Sequence, residues 1–383
     1  MIKLRNKILS VVMVSFFLTS VVHAAQNSPL IKLPDIDAES YLLIDFHSQR
    51  ILASKNPGKK IEPASITKLM SAYVIYKELY KGNVDTKDLV LISEKAWRMK
   101  GSRMFVEARK KVPMERLLSG LIIQSGNDAA IALAEHISGT EASFVEKMNA
   151  EAVRLGLNNT HFVNVTGWPA ENHFTTAHDI ATLTRAVISE FPEHYKLYKK
   201  REYSYNGIKQ YNRNKLLWLD PTVDGVKTGH TKSAGFCLVA SADRNGMRLI
   251  SVVLGAKSVK ERSDASQQLL EYGYKNFETR KLYEGGGVLE NVRIWKGASE
   301  NMPIGFIDDF YITVPKGSYE RLSGIVEYQS DVDAPVHRGD EVGKVIIKDG
   351  DKVVVESPLV ALNTIAGGGL WRKMTDGLEK VFH

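Results

Sequence analysis

The chain of 383 residues has one cysteine, Cys237, so no intrachain disulfide can form. Cys237 lies in the apolar run Phe236-Cys237-Leu238-Val239 and reads as a small buried hydrophobe, not a reactive thiol. Low-complexity tracts are absent. With 44% hydrophobic and 25% charged residues, the chain belongs to the folded globular class. The basic residues are scattered, so a net charge of +7 permits an anionic surface nearby but does not argue for nucleic acid. Lys3, Arg5 and Lys7 supply three of those seven excess charges. Long apolar spans are missing too. The stretch Ile8 to Val22 is short for a membrane span and is diluted by Ser10, Ser15, Thr19 and Ser20. Basic residues precede it and Val22-His23-Ala24 follows, which reads as a secretory signal over residues 1–24. An uncleaved anchor is the competing reading, and either one exports the chain.

The length favours two domains. The first is organised around Pro63-Ala64-Ser65-Ile66-Thr67-Lys68. Residues at i and i+3 share a helix face. The run Leu69, Met70, Tyr73, Val74 predicts a buried helix starting near Ser65 and ending before Gly82. Serine is a poor nucleophile without an adjacent base. Lys68 can be that base only when neutral, through burial or a second cation.

Elsewhere the chain alternates helices and hairpins. Tyr41–Asp45 and Arg50–Ala53 form a hairpin pattern. Residues 83–112 read as loops. Leu117 to Ile123 is a buried helical segment that Ser125-Gly126-Asn127-Asp128 interrupts, with helix resuming from Ala129 to Ile137. Thr140 caps a helix that stops at Gly156, and Thr176 precedes another that runs to Glu190. Strands Phe236–Ala242 and Arg248–Leu254 are joined by Asn245-Gly246, a strong hairpin signal, and a helix from Val259 to Phe277 follows. From residue 280 the helical period is lost. Short β-rich runs then occur at Phe310–Val314, Leu322–Tyr328, Gly343–Ile347 and Val353–Val355. After Gly367-Gly368-Gly369, the apolar residues Leu370, Trp371, Met374, Leu378, Val381 and Phe382 fall on one arc of a helix. Arg372, Lys373, Asp376, Glu379 and Lys380 fall opposite. Such a tail suits a membrane interface; the alternative is packing on its own protein.

Ser65-Ile66-Thr67-Lys68, Ser125-Gly126-Asn127 and Lys227-Thr228-Gly229 each have an ordinary reading when taken alone. In this order they match the Ser-x-x-Lys, Ser-x-Asn, Lys-Thr-Gly set. Together with Tyr211-Asn212-Arg213-Asn214, the β-rich region and the tail, the chain resembles the low-molecular-mass penicillin-binding D-alanyl-D-alanine carboxypeptidases. Gly126 stands where many members have Asp. The resemblance implies an α/β (α+β) transpeptidase and β-lactamase-like catalytic domain, an antiparallel sheet between helices, over residues 25–279. A small all-β domain over 280–363 and an amphipathic tail over 364–383 complete the chain.

The implied chemistry assigns roles by residue. Ser65 attacks the carbonyl, Lys68 takes its proton, and Ser125 relays a proton to the leaving amine. Asn127 holds a substrate amide. Lys227 and Thr228, with Gly229 completing the motif, receive the free carboxylate. Lys68 and Lys227 are expected to lower each other's pKa. By resemblance, the backbone N–H groups of Ser65 and His230 bind the oxyanion, and Arg262 aligns with a carboxylate-binding arginine. No metal or other cofactor is implied. The expected partners are peptidoglycan pentapeptides, β-lactams as covalent inhibitors, and the outer face of the inner membrane. Two other readings stay open. A class A β-lactamase would need a Glu-x-x-Leu-Asn loop, and none occurs between Asn127 and Lys227. A penicillin-binding scaffold or sensor would acylate without turnover.

Overall fold

Asn245 and Gly246 both take positive φ, 54° and 80°, and turn the chain between its two longest strands before residue 275. This is the two-residue hairpin that the right-handed strand twist favours. The computed structural model describes residues 4–6 and 32–382, with side chains from 32 to 379. It divides into two units, Leu33–Lys275 and Asn276–His383 together with Met1–Lys32. Apart from Leu4–Asn6, the signal expected at 1–24 lies outside the described residues.

In the first unit, strands β1 (Ser40–Asp45), β2 (Ile51–Lys55), β3 (Val223–Thr231), β4 (Gly235–Arg244) and β5 (Met247–Ala256) make one antiparallel sheet in the order β2-β1-β5-β4-β3. Successive side chains point to opposite faces. Leu42, Ile44, Ile250 and Val252 enter a core shared with helix α1 (Thr67–Tyr80). On the other face, Leu43 and Leu249 crowd Gly273 of α5 (Val259–Asn276), where a Cβ would stand 2.5 Å from the Leu249 side chain. The fold is therefore the α/β sheet between helical layers that the motifs implied. Leu69 to Tyr76 of α1 are all at most 2% exposed, so this helix is apolar all round and forms the axis of the helical lobe. Helices α2 (Asn127–Ser138), α3 (Glu141–Arg154) and α4 (Ala177–Glu190) complete that lobe. The Thr140 hydroxyl accepts from the Ser143 N–H and the Thr176 hydroxyl from the Asp179 N–H, which satisfies donors that helix starts leave free.

The second unit is β-rich, as expected. Its strand after α5 begins at Phe277, three residues before the position read from composition. Strands β6 (Phe277–Tyr283), β7 (Val288–Trp295), β8 (Asn301–Gly305), β9 (Phe310–Pro315), β10 (Leu322–Tyr328), β11 (Val332–Asp333), β12 (Glu341–Asp349) and β13 (Lys352–Ala361) precede α6 (Leu370–Phe382). β6 pairs with β9; β10, β12, β13, β8, β7 and β11 follow one another in the larger sheet, with Leu4–Asn6 parallel to β10. Four strands of this unit escaped the alternation reading: β6, β7, β8 and the two-residue β11. The cause is visible in β7, where the register slips between Val288 and Glu290 and the period of two fails. Val292, Ile294, Met302, Ile304, Val345, Ile347 and Leu359 give this unit its own core.

The polar side of α6 lies on the β-rich unit. The Lys296 N–H donates to Asp376 at 2.5 Å, Arg372 pairs with Glu300 at 2.7 Å, and Asp376 is 1% exposed. Leu370, Trp371, Met374 and Leu378 are 62–82% exposed. The apolar arc therefore faces outward. The side chains of Val381 and Phe382 lie outside the described residues. Among the described residues, no helix is long and apolar enough to cross a membrane.

Candidate active site

Ser65 sits in a 3-10 turn, Ala64–Ile66, that feeds directly into α1. Ala64 has φ of 46°, a left-handed value that a non-glycine residue adopts at a cost of about 1–3 kcal/mol. The surroundings hold it there. Gly229 of β3 packs against the turn so closely that a Cβ would meet Ile66 and the Pro63 carbonyl at 3.1 Å. Gly167 packs closer still from the other side: its Cβ would stand 1.7 Å from the Ala64 oxygen.

One helical turn along, Lys68 Nζ donates to Ser65 Oγ at 3.1 Å and to the Thr166 carbonyl at 2.6 Å. Lys68 is fully buried. Its pKa falls to about 7, first through burial and then through the Arg213 cation, with Asp128 opposing. Lys227 is also buried and held well below the usual lysine range, by burial first, then by Lys68, Arg213 and Arg262. The expected lowering by a neighbouring cation is present, but for Lys68 the leading causes are burial and an arginine rather than the second lysine.

Ser125 ends a π-helical turn, Gly120–Gln124, in the left-handed conformation (φ 64°, ψ 38°). That turn, rather than a break of several residues, is the interruption read from sequence. Helix α2 resumes at Asn127, two residues earlier than expected, so Asn127 sits in its first turn. The buried Asp128 carboxylate accepts the N–H groups of Met104, Phe105 and Ala129 at 2.8–3.0 Å, tying the preceding loop to the helix start. Lys227 Nζ donates to Ser125 Oγ at 2.8 Å and to the Thr228 carbonyl at 3.0 Å. Two Ser–Lys pairs thus share one site. Their sequence separations are 3 and 102 residues.

A cleft of about 610 Å³ opens over them, lined by Ser65, Ser125, Asn127, Thr228, Gly229 and His230. Arg262 also lines it. Its Nη1 donates to the Gly229 and Cys237 carbonyls at 3.1 and 3.2 Å, and its Nε is buried with no partner. Burial lowers its pKa to about 10. Asn127 uses its amide N–H on the Lys100 carbonyl at 2.6 Å. Among the described residues, no acidic one lines the cleft. Among the described residues, no cluster of three His, Cys, Asp or Glu side chains could hold a metal.

Sequence reading missed the turn Asn164–Trp168. The Asn164 Oδ1 accepts N–H groups from Thr166, Gly167 and Trp168 at 2.8–3.2 Å, which aims the Thr166 carbonyl at Lys68. Asn and Gly around a polar residue were the available signal. Arg213, read from the sequence as either a cleft-supporting or a salt-bridging residue, lines the cleft and depresses both lysines.

The sequence profile of the D-alanyl-D-alanine carboxypeptidase family matches residues 24–258, and that of the penicillin-binding protein 5 C-terminal domain matches 277–366. The chain is 39% identical to the D-alanyl-D-alanine carboxypeptidase DacA of Escherichia coli K12, covering 92% of this chain and 89% of that protein. The fold is similar to that of penicillin-binding protein 5 from Haemophilus influenzae, with a TM-score of 0.84, 39% identity, and coverage of 88% and 99% of the two chains. It also resembles penicillin-binding protein D2 from Listeria monocytogenes in its ampicillin-bound form, with a TM-score of 0.59, 27% identity, and coverage of 63% and 99%. A profile spanning well over half the sequence, and a relative matched along most of its length, establish that this chain belongs to the D-alanyl-D-alanine carboxypeptidase family.

Proposed function

We propose that the protein removes the terminal D-alanine from peptidoglycan pentapeptides through an acyl-enzyme on Ser65. One observation carries this reading: Ser65 Oγ lies 3.1 Å from an amine whose pKa is lowered to about 7. Near neutral pH a large fraction of Lys68 is neutral and can take the Ser65 proton. The Ser65 oxygen then bonds the carbonyl carbon of the penultimate D-alanine. The N–H groups of Ser65 and His230 receive the oxyanion. Collapse breaks the C–N bond, and Ser125 passes a proton to the leaving amine. Ser125 suits this relay because Lys227 donates to its oxygen, leaving its own proton free to give. Asn127 holds the peptide amide. Lys227, Thr228 and Arg262 present charge and a hydroxyl to the free carboxylate, with Gly229 giving β3 its close approach to Ser65. Water then releases the shortened peptide.

β-Lactams present the same acyl group and are expected to acylate Ser65. Ampicillin and cefotaxime forms of the Listeria relative support this. A cleft lining that holds no carboxylate among the described residues does not favour the β-lactamase reading, which needs a glutamate to activate the hydrolytic water. The test is free D-alanine release from a D-alanyl-D-alanine peptide, followed by mass spectrometry of a penicillin-treated digest. The adduct is expected on the peptide containing Ser65, with slow loss. Rapid penicillin turnover would instead indicate a lactamase, and an adduct without D-alanine release would indicate a sensor.

The same proposal extends to place. The basic and apolar N-terminal segment exports the chain, and α6 holds the protein at the periplasmic face of the inner membrane. The exposed Leu370, Trp371, Met374 and Leu378 support this, since they offer apolar area for shallow burial among lipids. Deleting residues 370–383 is expected to shift the protein from the membrane pellet to the supernatant, with activity on a small peptide retained. A truncated protein that still sediments would place the anchor at the N-terminus.

A further inference from the structure

The cleft continues past the groups that receive the terminal carboxylate. A second groove of about 510 Å³ shares Arg213, Val259 and Arg262 with it. Among the described residues, four cations line this groove, Lys209, Arg213, Lys215 and Arg262, and no carboxylate does. Lys209 is partly neutralised by Glu202 at 2.9 Å. Among the described residues, Arg213 and Lys215 have no acidic partner within ion-pair distance. Arg262 Nε is a buried donor with no partner among the described residues. Such groups are rare in folded proteins and cost free energy unless an acceptor, here a ligand carboxylate, satisfies them.

One carboxylate needs one or two cations. Lys227, Thr228 and Arg262 already face the terminal one, so Arg213 and Lys215, with no acidic partner, leave charge in the groove in excess. The leaving residue carries that terminal carboxylate. Its side chain branches from the same carbon as that carboxylate, so with the carboxylate at Lys227, Thr228 and Arg262 the side chain is within reach of the groove that shares Arg262. We propose that the groove is a subsite for the side chain of the leaving residue and that it takes an anionic side chain bearing a second carboxylate. This rests on the carboxypeptidase reading of the cleft. The reaction is unchanged in its balance: the amide C–N bond breaks, the acyl carbon passes to Ser65 and then to water, and an acidic D-amino acid leaves as the free amine.

The experiment compares three peptides identical up to the scissile bond and ending in D-Ala-D-Ala, D-Ala-D-Glu and D-Ala-D-Lys. The full-length protein is used, and release of the terminal amino acid is followed. The D-Glu peptide is expected to exceed the D-Lys peptide in kcat/KM by about fivefold, the size a half-exposed ion pair gives. In the double variant Lys209→Gln, Lys215→Gln, two exposed positions, that ratio should fall towards one while cleavage of D-Ala-D-Ala is unchanged. Equal rates on the D-Glu and D-Lys peptides, or a ratio untouched by the double variant, would overturn the subsite. A protein that cleaves none of the three overturns the carboxypeptidase reading itself, a result distinct from cleaving all alike.

Discussion

Lys68→Arg is expected to slow acylation of Ser65 by penicillin by about 10³-fold, within the range that loss of a general base gives. Arginine keeps its proton at every pH at which the fold survives. Lys68 does not, because burial and the Arg213 cation bring its pKa to about 7. The sign of the pH dependence follows. The active form is the neutral amine, so the acylation rate of the unaltered protein should rise with pH up to about 7 and level off above it. Below that value the logarithm of the rate should climb with a slope of about one per pH unit. The variant should show no such limb. Stopped-flow acylation across pH reads both effects, and thermal unfolding of the variant separates lost chemistry from lost folding. Normal acylation by Lys68→Arg would move the base elsewhere. Ser125, with its bond from Lys227, is the next group to examine.

The second large effect is expected from a position without any functional group. Gly167 has φ of 83°, and a Cβ there would lie 1.7 Å from the Ala64 oxygen and 2.9 Å from the Ser65 nitrogen. Both are backbone atoms, so no side-chain rotation relieves the clash. Gly167→Ala must push the Asn164–Trp168 turn off the nucleophile turn. That moves the Thr166 carbonyl that holds Lys68 and the Ser65 N–H that should receive the oxyanion. A loss of about 10²-fold or more in acylation is expected, since displacements near 1 Å have that effect on catalytic geometry. A drop in stability of about 2–4 kcal/mol should accompany it, as overpacking and left-handed strain combine. Gly156→Ala is the control. Gly156 has a similar φ of 71° but nothing within 4 Å, so strain acts alone. Its cost should be about 1 kcal/mol with acylation unchanged. If the two variants behave alike, contact with the nucleophile turn is not what Gly167 provides.

These two predictions differ in what announces them. Lys68 stands three residues from Ser65, and the helical period alone brings them together. The caps at Thr140 and Thr176 and the Asn245-Gly246 hairpin were legible for the same reason: their hydrogen bonds close within four residues. The three motifs were legible as residue types. Their assembly was not. Ser125 meets Lys227 across 102 residues, and Lys68 meets Thr166 across 98. The sheet edge, the π turn before Ser125 and the glycine contact at Ala64 produce those meetings. Strands β6, β7 and β8 escaped because bulges and mixed burial erase the period of two. For the tail, the sequence determined an apolar arc and a polar arc. Only the tertiary structure decided that Asp376 and Arg372 turn inward onto Lys296 and Glu300, leaving the apolar arc outside. The same division holds for the chemistry. A sequence names an amine, but its pKa is set by how much water the fold removes and which cations it leaves nearby. Those quantities are sums over distant parts of the chain, and they exist only once it has folded.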